Sequence, residues 1–145
     1  MYENLLKDAE FQRVATAQAS GTSTVNSDEV DMEGFDAVLF QVALGTTGVG
    51  VVKLQQDSVT GMGSAADLEG TSQAYDGDDD DLIVLTDLIR PRERFVRCVV
   101  TRPTAAEIDA IIAIKYRARK RPVTQGATVV GAAGELHLSP AEGTA

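Results

Sequence analysis

Apolar and polar residues alternate with a period of two along much of the chain, and this pattern predicts β-strands. The clearest strand is residues 35–44, whose buried face carries Val38, Phe40, Val42 and Leu44. Residues 45–48, with two glycines, are typical of a hairpin turn. Further strands are predicted at residues 49–56, 82–85, 95–101 and 108–116, with one short strand within 66–75 and a weaker one within 15–25.

The predicted structure of two segments depends on how their apolar residues are interpreted. Residues 82–85 are Leu, Ile, Val and Leu, and we expect them to form a core strand. Residues 104–107 have the spacing of a helix N-terminus, so a helix is an alternative there. The long alternation over residues 108–116 favours a strand.

The whole pattern indicates seven or eight short strands, which is typical of an antiparallel β-sandwich or a jelly-roll-like barrel. Jelly-roll and immunoglobulin-like strand orders both remain open. We divide the chain into an N-terminal arm or short helix (residues 1–28), a β-sandwich domain (residues 29–121) and an extended or flexible C-terminal tail (residues 122–145).

Composition places the chain among single globular domains, with 145 residues and a hydrophobic fraction of 43%. No apolar run reaches the roughly 18–20 residues that a membrane span needs, and the first residues lack a signal-peptide pattern. We therefore expect synthesis in the cytoplasm and no membrane partner.

The chain has one cysteine, Cys98, and one histidine, His137. A single cysteine permits no intrachain disulfide and no thiolate metal cluster. The two counts argue against Ser–His and Cys–His nucleophile systems, and we interpret Cys98 as a small buried apolar residue. We expect no catalytic residue, no metal and no cofactor, and a protein that is not an enzyme.

The net charge of -9 is divided unevenly along the chain. Residues 1–89 hold 3 Lys/Arg and 17 Asp/Glu, whereas residues 90–121 hold 10 Lys/Arg and 3 Asp/Glu. This division favours contact with a charged partner or head-to-tail contact between copies. The alternative is that the two halves neutralise each other within one stack of sheets.

The aspartate run at residues 76–81 is a candidate calcium site, because Ca²⁺ prefers carboxylate oxygens. The aspartates lack the alternating spacing and the distal Glu of an EF-hand. A solvated loop tip that deters aggregation between strand edges is the favoured interpretation.

The basic residues of the segment 90–121 form two groups with a spacing of two, so each group projects from one face of an extended segment. We predict that they bind a partner, and the candidate residues are Arg90, Arg92, Arg94, Arg97, Lys115, Arg117, Arg119, Lys120 and Arg121. An acidic protein surface is favoured over nucleic acid, because the pI is about 4.5 and aromatic residues are scarce.

Residues 30–45 (VDMEGFDAVLFQVALG) resemble the opening of small structural proteins encoded in the head gene clusters of tailed bacteriophages. In those proteins an acidic-Gly-aromatic turn introduces a central strand that ends in glycine. The resemblance extends over residues 30–123 through 52–57 (VKLQQD), 67–70 (DLEG), 89–97 (IRPRERFVR) and 116–123 (YRARKRPV).

The chain is thereby similar to capsid decoration (cement) proteins, which bind the outside of the shell and stabilise it, often as trimers. The resemblance implies a virion protein on the capsid surface, without an active site, whose partners are the major capsid protein and neighbouring copies of itself. It also suggests that residues 1–20 and 122–145 act as clamps. The alternatives are a ring-forming neck or tail component and, from another class, a small β-sandwich ligand-binding module.

Overall fold

The computed structural model describes residues 4–144, and their regular secondary structure consists mostly of β-strands. They include one short helix, α1 (Leu5–Asp8), and a 3₁₀ turn at Val130–Ala132. The strands are β1 (Glu10–Ala15), β2 (Gln18–Gly21), β3 (Val25–Asn26), β4 (Val30–Asp31), β5 (Phe35–Leu44), β6 (Gly50–Asp57), β7 (Ala66–Asp67), β8 (Gln73–Tyr75), β9 (Ile83–Ile89), β10 (Phe95–Thr101) and β11 (Ala106–Ala118).

The strands form two antiparallel sheets that enclose an apolar layer. Sheet A has the order β1-β11-β5-β9, and β2 also lies beside β11. Sheet B has the order β3-β10-β6-β7, with β4 also beside β10 and β8 also beside β6. The predicted antiparallel β-sandwich is confirmed, and the barrel alternative is wrong because the sheets do not close.

The apolar layer explains why the alternating segments become strands. The predicted inner face of β5 is confirmed, since its four large apolar side chains are at most 1% exposed. Buried side chains from three other strands contact the same layer, among them Val52, Leu54, Val96, Cys98, Ile108 and Ile111. Each large side chain buried in this way contributes roughly 1.5–3 kcal/mol relative to an exposed position.

Strand β9 lies at the edge of sheet A, so the prediction of a core strand at residues 82–85 is wrong. Three of the four side chains in that segment are about half exposed, namely Leu82 (52%), Ile83 (53%) and Leu85 (48%). Only one face of β9 contacts the core, through Val84 and Leu88. A continuous apolar run is typical of a strand that is buried on both faces, whereas here the second face meets solvent.

The N-terminal segment joins the sandwich. The predicted short helix is present only as α1, and the residues that follow it form β1, β2 and β3 rather than an arm. Strands β1 and β2 pair with β11, and β3 pairs with β10. Small residues dominate positions 15–24, so their alternation is weak and predicted one weak strand within 15–25, where the structure has β2 and the start of β3.

Hydrogen bonds join the start of the C-terminal segment to the N-terminal segment. The side-chain amide of Gln125 donates to the carbonyls of Leu6 (2.9 Å) and Ala9 (2.8 Å) and accepts from the backbone N–H of Phe11 (2.9 Å). Residues 131–144 are exposed. Residues 1–3 and 145, which belong to the predicted arm and tail, lie outside the described residues.

Within residues 4–144, no helix has the length and apolar character that crossing a membrane requires.

Close packing at the start of β6 yields a test of the fold. A Cβ added to Gly50 would overlap the hydroxyl of Tyr75 and the carbonyl of Thr101. We expect Gly50→Ala to lower the free energy of unfolding by about 1–3 kcal/mol, because the neighbouring atoms have to shift. Urea unfolding followed by circular dichroism measures this change.

The matched control is Gly63→Ala, because nothing lies within 4 Å of a Cβ at Gly63. Equal losses of stability in the two variants would contradict the packing described for Gly50.

Candidate functional site

The loops of the sandwich cluster at two opposite ends. In sheet A, Phe35 at the start of β5 lies beside Ala118, and Leu44 at the end of β5 lies beside Ile108. Strand β9 runs antiparallel to β5 and pairs with it from Ala37 to Ala43. Loops that are distant in sequence therefore meet at each end of the strands.

One end carries most of the predicted partner-binding residues, and we call it the basic end (residues 31–36, 90–95 and 117–121). It holds seven Lys/Arg and four Asp/Glu. A cleft of about 470 Å³ opens there, and four of the predicted residues line it: Arg90, Arg92, Arg94 and Arg119. The structure thus brings together arginines from two separate segments of the sequence.

Two of these four arginines are held by carboxylates. Arg94 donates two hydrogen bonds of 2.8 Å to Asp31 and one of 2.5 Å to Glu33. Arg119 donates to Asp36 at 2.8 Å. Ion pairs this exposed contribute little stability, but they fix the positions of the guanidinium groups beside the cleft.

The contact between Arg94 and Asp31 also shifts their ionisation. The hydrogen bond from Arg94 is the largest cause that holds the pKa of Asp31 below its usual value, and the N–H of Glu33 adds to it. The same hydrogen bond raises the pKa of Arg94. Both groups therefore stay charged at neutral pH.

Four other basic side chains of this end have no ion-pair partner within residues 4–144: Arg90, Arg92, Arg117 and Lys120. All four are exposed. Arg90 and Arg117 each have a backbone φ of 54°, a left-handed conformation that costs an L-residue roughly 1–2 kcal/mol and usually selects Gly or Asn. Backbone preference therefore does not explain arginine at either position, one after β9 and the other near the end of β11.

The remaining predicted residues are engaged elsewhere. Lys115 is buried, with its Nζ 3.1 Å from Glu10 and 4.5 Å from the centroid of the Phe35 ring. Arg121 pairs with Asp8 at 3.2 Å. Arg97 lies on sheet B, where it donates to Gln55. The structure therefore does not bring these three residues into the cleft.

Arg102, also part of the basic segment, has a structural role. It is 5% exposed and donates to the carbonyls of Ser23 (2.7 Å), Ala19 (3.0 Å) and Ala106 (2.7 Å). These hydrogen bonds satisfy the buried guanidinium and join the N-terminal strands to β11. Sequence patterns did not distinguish it from the exposed arginines.

We call the opposite end of the sandwich the acidic end (residues 45–50, 76–82 and 102–109). It holds seven Asp/Glu and one Arg, which is the buried Arg102. The aspartate run is tied to the β5–β6 loop there, because Asp80 accepts from the N–H (2.7 Å) and the hydroxyl (3.0 Å) of Thr47.

Two other aspartates of the run bind its own backbone. Asp76 accepts from the N–H of Asp78, and Asp79 accepts from the N–H of Asp76, both at 2.9 Å. Among the described residues, no three carboxylate, imidazole or thiol groups converge as a metal site would require. The carboxylates of this run therefore accept hydrogen bonds that stabilise the turn at residues 76–81 and its contact with the β5–β6 loop.

Cys98 lies in the middle of β10 and is buried. Desolvation raises the pKa of its thiol to about 12. A thiol with such a pKa holds almost no thiolate at neutral pH and is chemically inert. This agrees with the interpretation of Cys98 as a packing residue.

Comparison with known proteins shows similarity in structure but not in sequence. No protein-family model and no curated protein sequence matches the chain. Among solved structures, the chain is similar to the PBSX exported protein XepA, with 13% identity and a TM-score of 0.54 over 98% of this chain and 46% of XepA. The chain thus spans about half the length of XepA.

A second solved structure, PirA, matches at 13% identity with a TM-score of 0.39, over 81% of this chain and 97% of PirA. This TM-score is too low to establish a common fold. The likeness to XepA shows a shared β fold.

The ion pair between Arg94 and Asp31 gives a titration test. We expect Arg94→Gln to raise the pKa of Asp31 towards its ordinary value, because the variant removes the main hydrogen bond to the carboxylate. Carbon-detected NMR titration of the carboxyl group measures the shift.

Asp57 is the internal control, since the backbone N–H groups of Val59 and Ser64 are the main causes that lower its pKa. We expect its titration to be unchanged in Arg94→Gln. An Asp31 pKa that stays low in the variant would show that Arg94 does not hold this carboxylate.

Proposed function

We propose that this chain is a non-enzymatic virion structural protein, a decoration (cement) protein that binds the outside of a phage capsid and stabilises the shell. The resemblance of residues 30–123 to small proteins of phage head gene clusters supports this role. The β fold that the chain shares with XepA, a phage-related protein, supports it as well.

The observation that carries the proposal is the set of free cations at the basic end. Arg90, in the loop after β9, and Arg117, near the end of β11, both have a left-handed backbone that is unfavourable for arginine. Neither has an ion-pair partner within residues 4–144. Strained backbone at exposed polar residues is typical of binding sites. These arginines, with Arg92 and Lys120, present a surface for carboxylates of a partner.

The proposed partner is the major capsid protein, and the proposed mode of binding is many repeated weak contacts. A shell offers the same acidic site many times, and each bound copy would stabilise the assembled state over the dissociated one by mass action. The exposed segment 131–144, with Leu136 and Leu138 at its surface, would reach a neighbouring subunit as a clamp. Residues 10–20 do not serve as a clamp in this scheme, because they lie within or beside strands of sheet A.

The proposed location is the capsid surface of the virion, after synthesis in the cytoplasm of the host. The test is co-sedimentation of the purified chain with phage heads that lack it. We expect saturable binding in a fixed ratio to capsid subunits and better survival of heated heads. Absence of binding together with closed rings in light scattering would favour a neck or tail component instead.

The basic end can be tested with charge reversal in the same assay. We expect the double variant Arg90→Glu/Arg92→Glu to lose most of its binding to heads, because it would place two carboxylates against an acidic partner. The affinity is measured from the bound fraction at increasing concentrations of protein.

The matched control is Arg13→Glu/Lys53→Glu, which changes the net charge equally at one residue of β1 and one of β6, both outside the basic end. We expect it to bind like the unmodified chain. Equal losses of binding in both double variants would indicate a non-specific effect of charge and would contradict docking through the basic end.

A further inference from the structure

Most side chains on the outer face of sheet A are apolar, although this face meets solvent. The register of β9, β5 and β11 places partly exposed apolar side chains across this face, among them Ile83, Leu85, Ile89, Leu39, Ile112 and Ile114. Two polar side chains interrupt them, since Gln41 lies between Leu85 and Ile112, and Arg13 of β1 lies beside Ile112. The three residues of β9 are 53%, 48% and 48% exposed. The outward face of an antiparallel sheet in a monomer is normally polar.

The one carboxylate in the middle of this face already has a hydrogen-bond partner. The hydroxyl of Tyr116 donates to Asp87, with distances of 2.8 Å and 2.7 Å to the two carboxylate oxygens. Covering the face would therefore not leave this carboxylate without a hydrogen bond.

The outer face of sheet B shows the ordinary pattern. Lys53 and Gln55 of β6 both donate to Asp67 of β7 at 2.7 Å. Arg97 of β10 donates to Gln55 at 2.8 Å. The two sheets of one sandwich thus differ, and only the face of sheet A has the character of a contact surface.

The charges at the two ends of this face identify its occupant. The strands of sheet A run between the acidic end, with a net charge of -6, and the basic end, with a net charge of +3. Two copies packed face to face with parallel strands would place acidic end against acidic end. With antiparallel strands, each acidic end lies against the basic end of the other copy, which makes the face self-complementary.

We propose that the outer face of sheet A binds a second copy of the chain through a twofold axis that lies between the two sheets, perpendicular to their strands. In this arrangement β11 of one copy crosses β11 of the other in the opposite direction. A neighbouring copy of the chain is one of the partners expected for the proposed virion role, and this contact would bind it. The contact does not rest on capsid binding, because the purified chain alone can form it.

Sedimentation velocity of the full chain over a wide range of concentration tests the contact. We expect a dimer that dissociates on dilution. Leu85→Arg should raise the dissociation constant by about 100-fold or more, because it places an unpaired cation in an apolar interface. The matched control is Val59→Arg, which adds the same charge at a loop residue that is 63% exposed and should leave the dimer intact.

Cross-linking tests the orientation and remains informative if Leu85→Arg fails to fold. Asp109 and Arg117 are exposed residues near opposite ends of β11, and facing sheets pack about 10 Å apart. We mix the variants Asp109→Cys and Arg117→Cys with a bifunctional maleimide of about this span. We expect cross-links between the two variants and none between two copies of Asp109→Cys, while the buried Cys98 stays unmodified.

Three outcomes would overturn the proposal: a monomer at every concentration, a dimer that persists in Leu85→Arg, or a closed trimer or larger ring. Cross-links only between like variants would overturn the antiparallel orientation. A chain that dimerises as expected but does not bind heads would support this contact and contradict the decoration role.

Discussion

The apolar layer between the two sheets is the interaction on which the rest of the structure depends. It buries alternate residues of the long strands, so a slip of one residue in register would move Phe40 or Ile111 from the core to solvent. The layer therefore fixes the register, and the register decides which loops meet at each end of the sandwich. The positions of the charges follow from the packing of the core.

The opposite charges of the two halves of the sequence partly cancel within the fold. Arg94, Arg119 and Arg121 bind carboxylates from the N-terminal half of the chain. Lys115 likewise pairs with Glu10 beside the basic end, so the two halves neutralise each other at and next to this end of the sandwich. The acidic end has no exposed cation to balance it, so the sandwich keeps a charge difference along its strands. Its two outer faces differ as well, which gives the molecule several distinct surfaces for repeated contacts.

Sequence patterns predicted β5 and β11 because a period of two that continues over residues 35–44 and 108–116 fits a strand and not a helix. They failed for β9, since a short apolar run does not distinguish a buried strand from an edge strand with one apolar face in solvent. They indicated only a weak strand within residues 15–25, because the four residues of β2 are Gln, Ala, Ser and Gly and give no clear alternation. The cleft at the basic end required Arg94 and Asp31 to meet across 63 positions in sequence, and local patterns carry no such information.

The central claim is that the chain is a component of a virus particle. Quantitative mass spectrometry of purified phage particles, from the genome that encodes the chain, tests it most directly. The account predicts that the chain is present in a fixed ratio to the major capsid protein and remains bound after particles are separated from free protein. Its absence from purified particles, with abundant protein in the same lysate, would contradict a structural role in the virion.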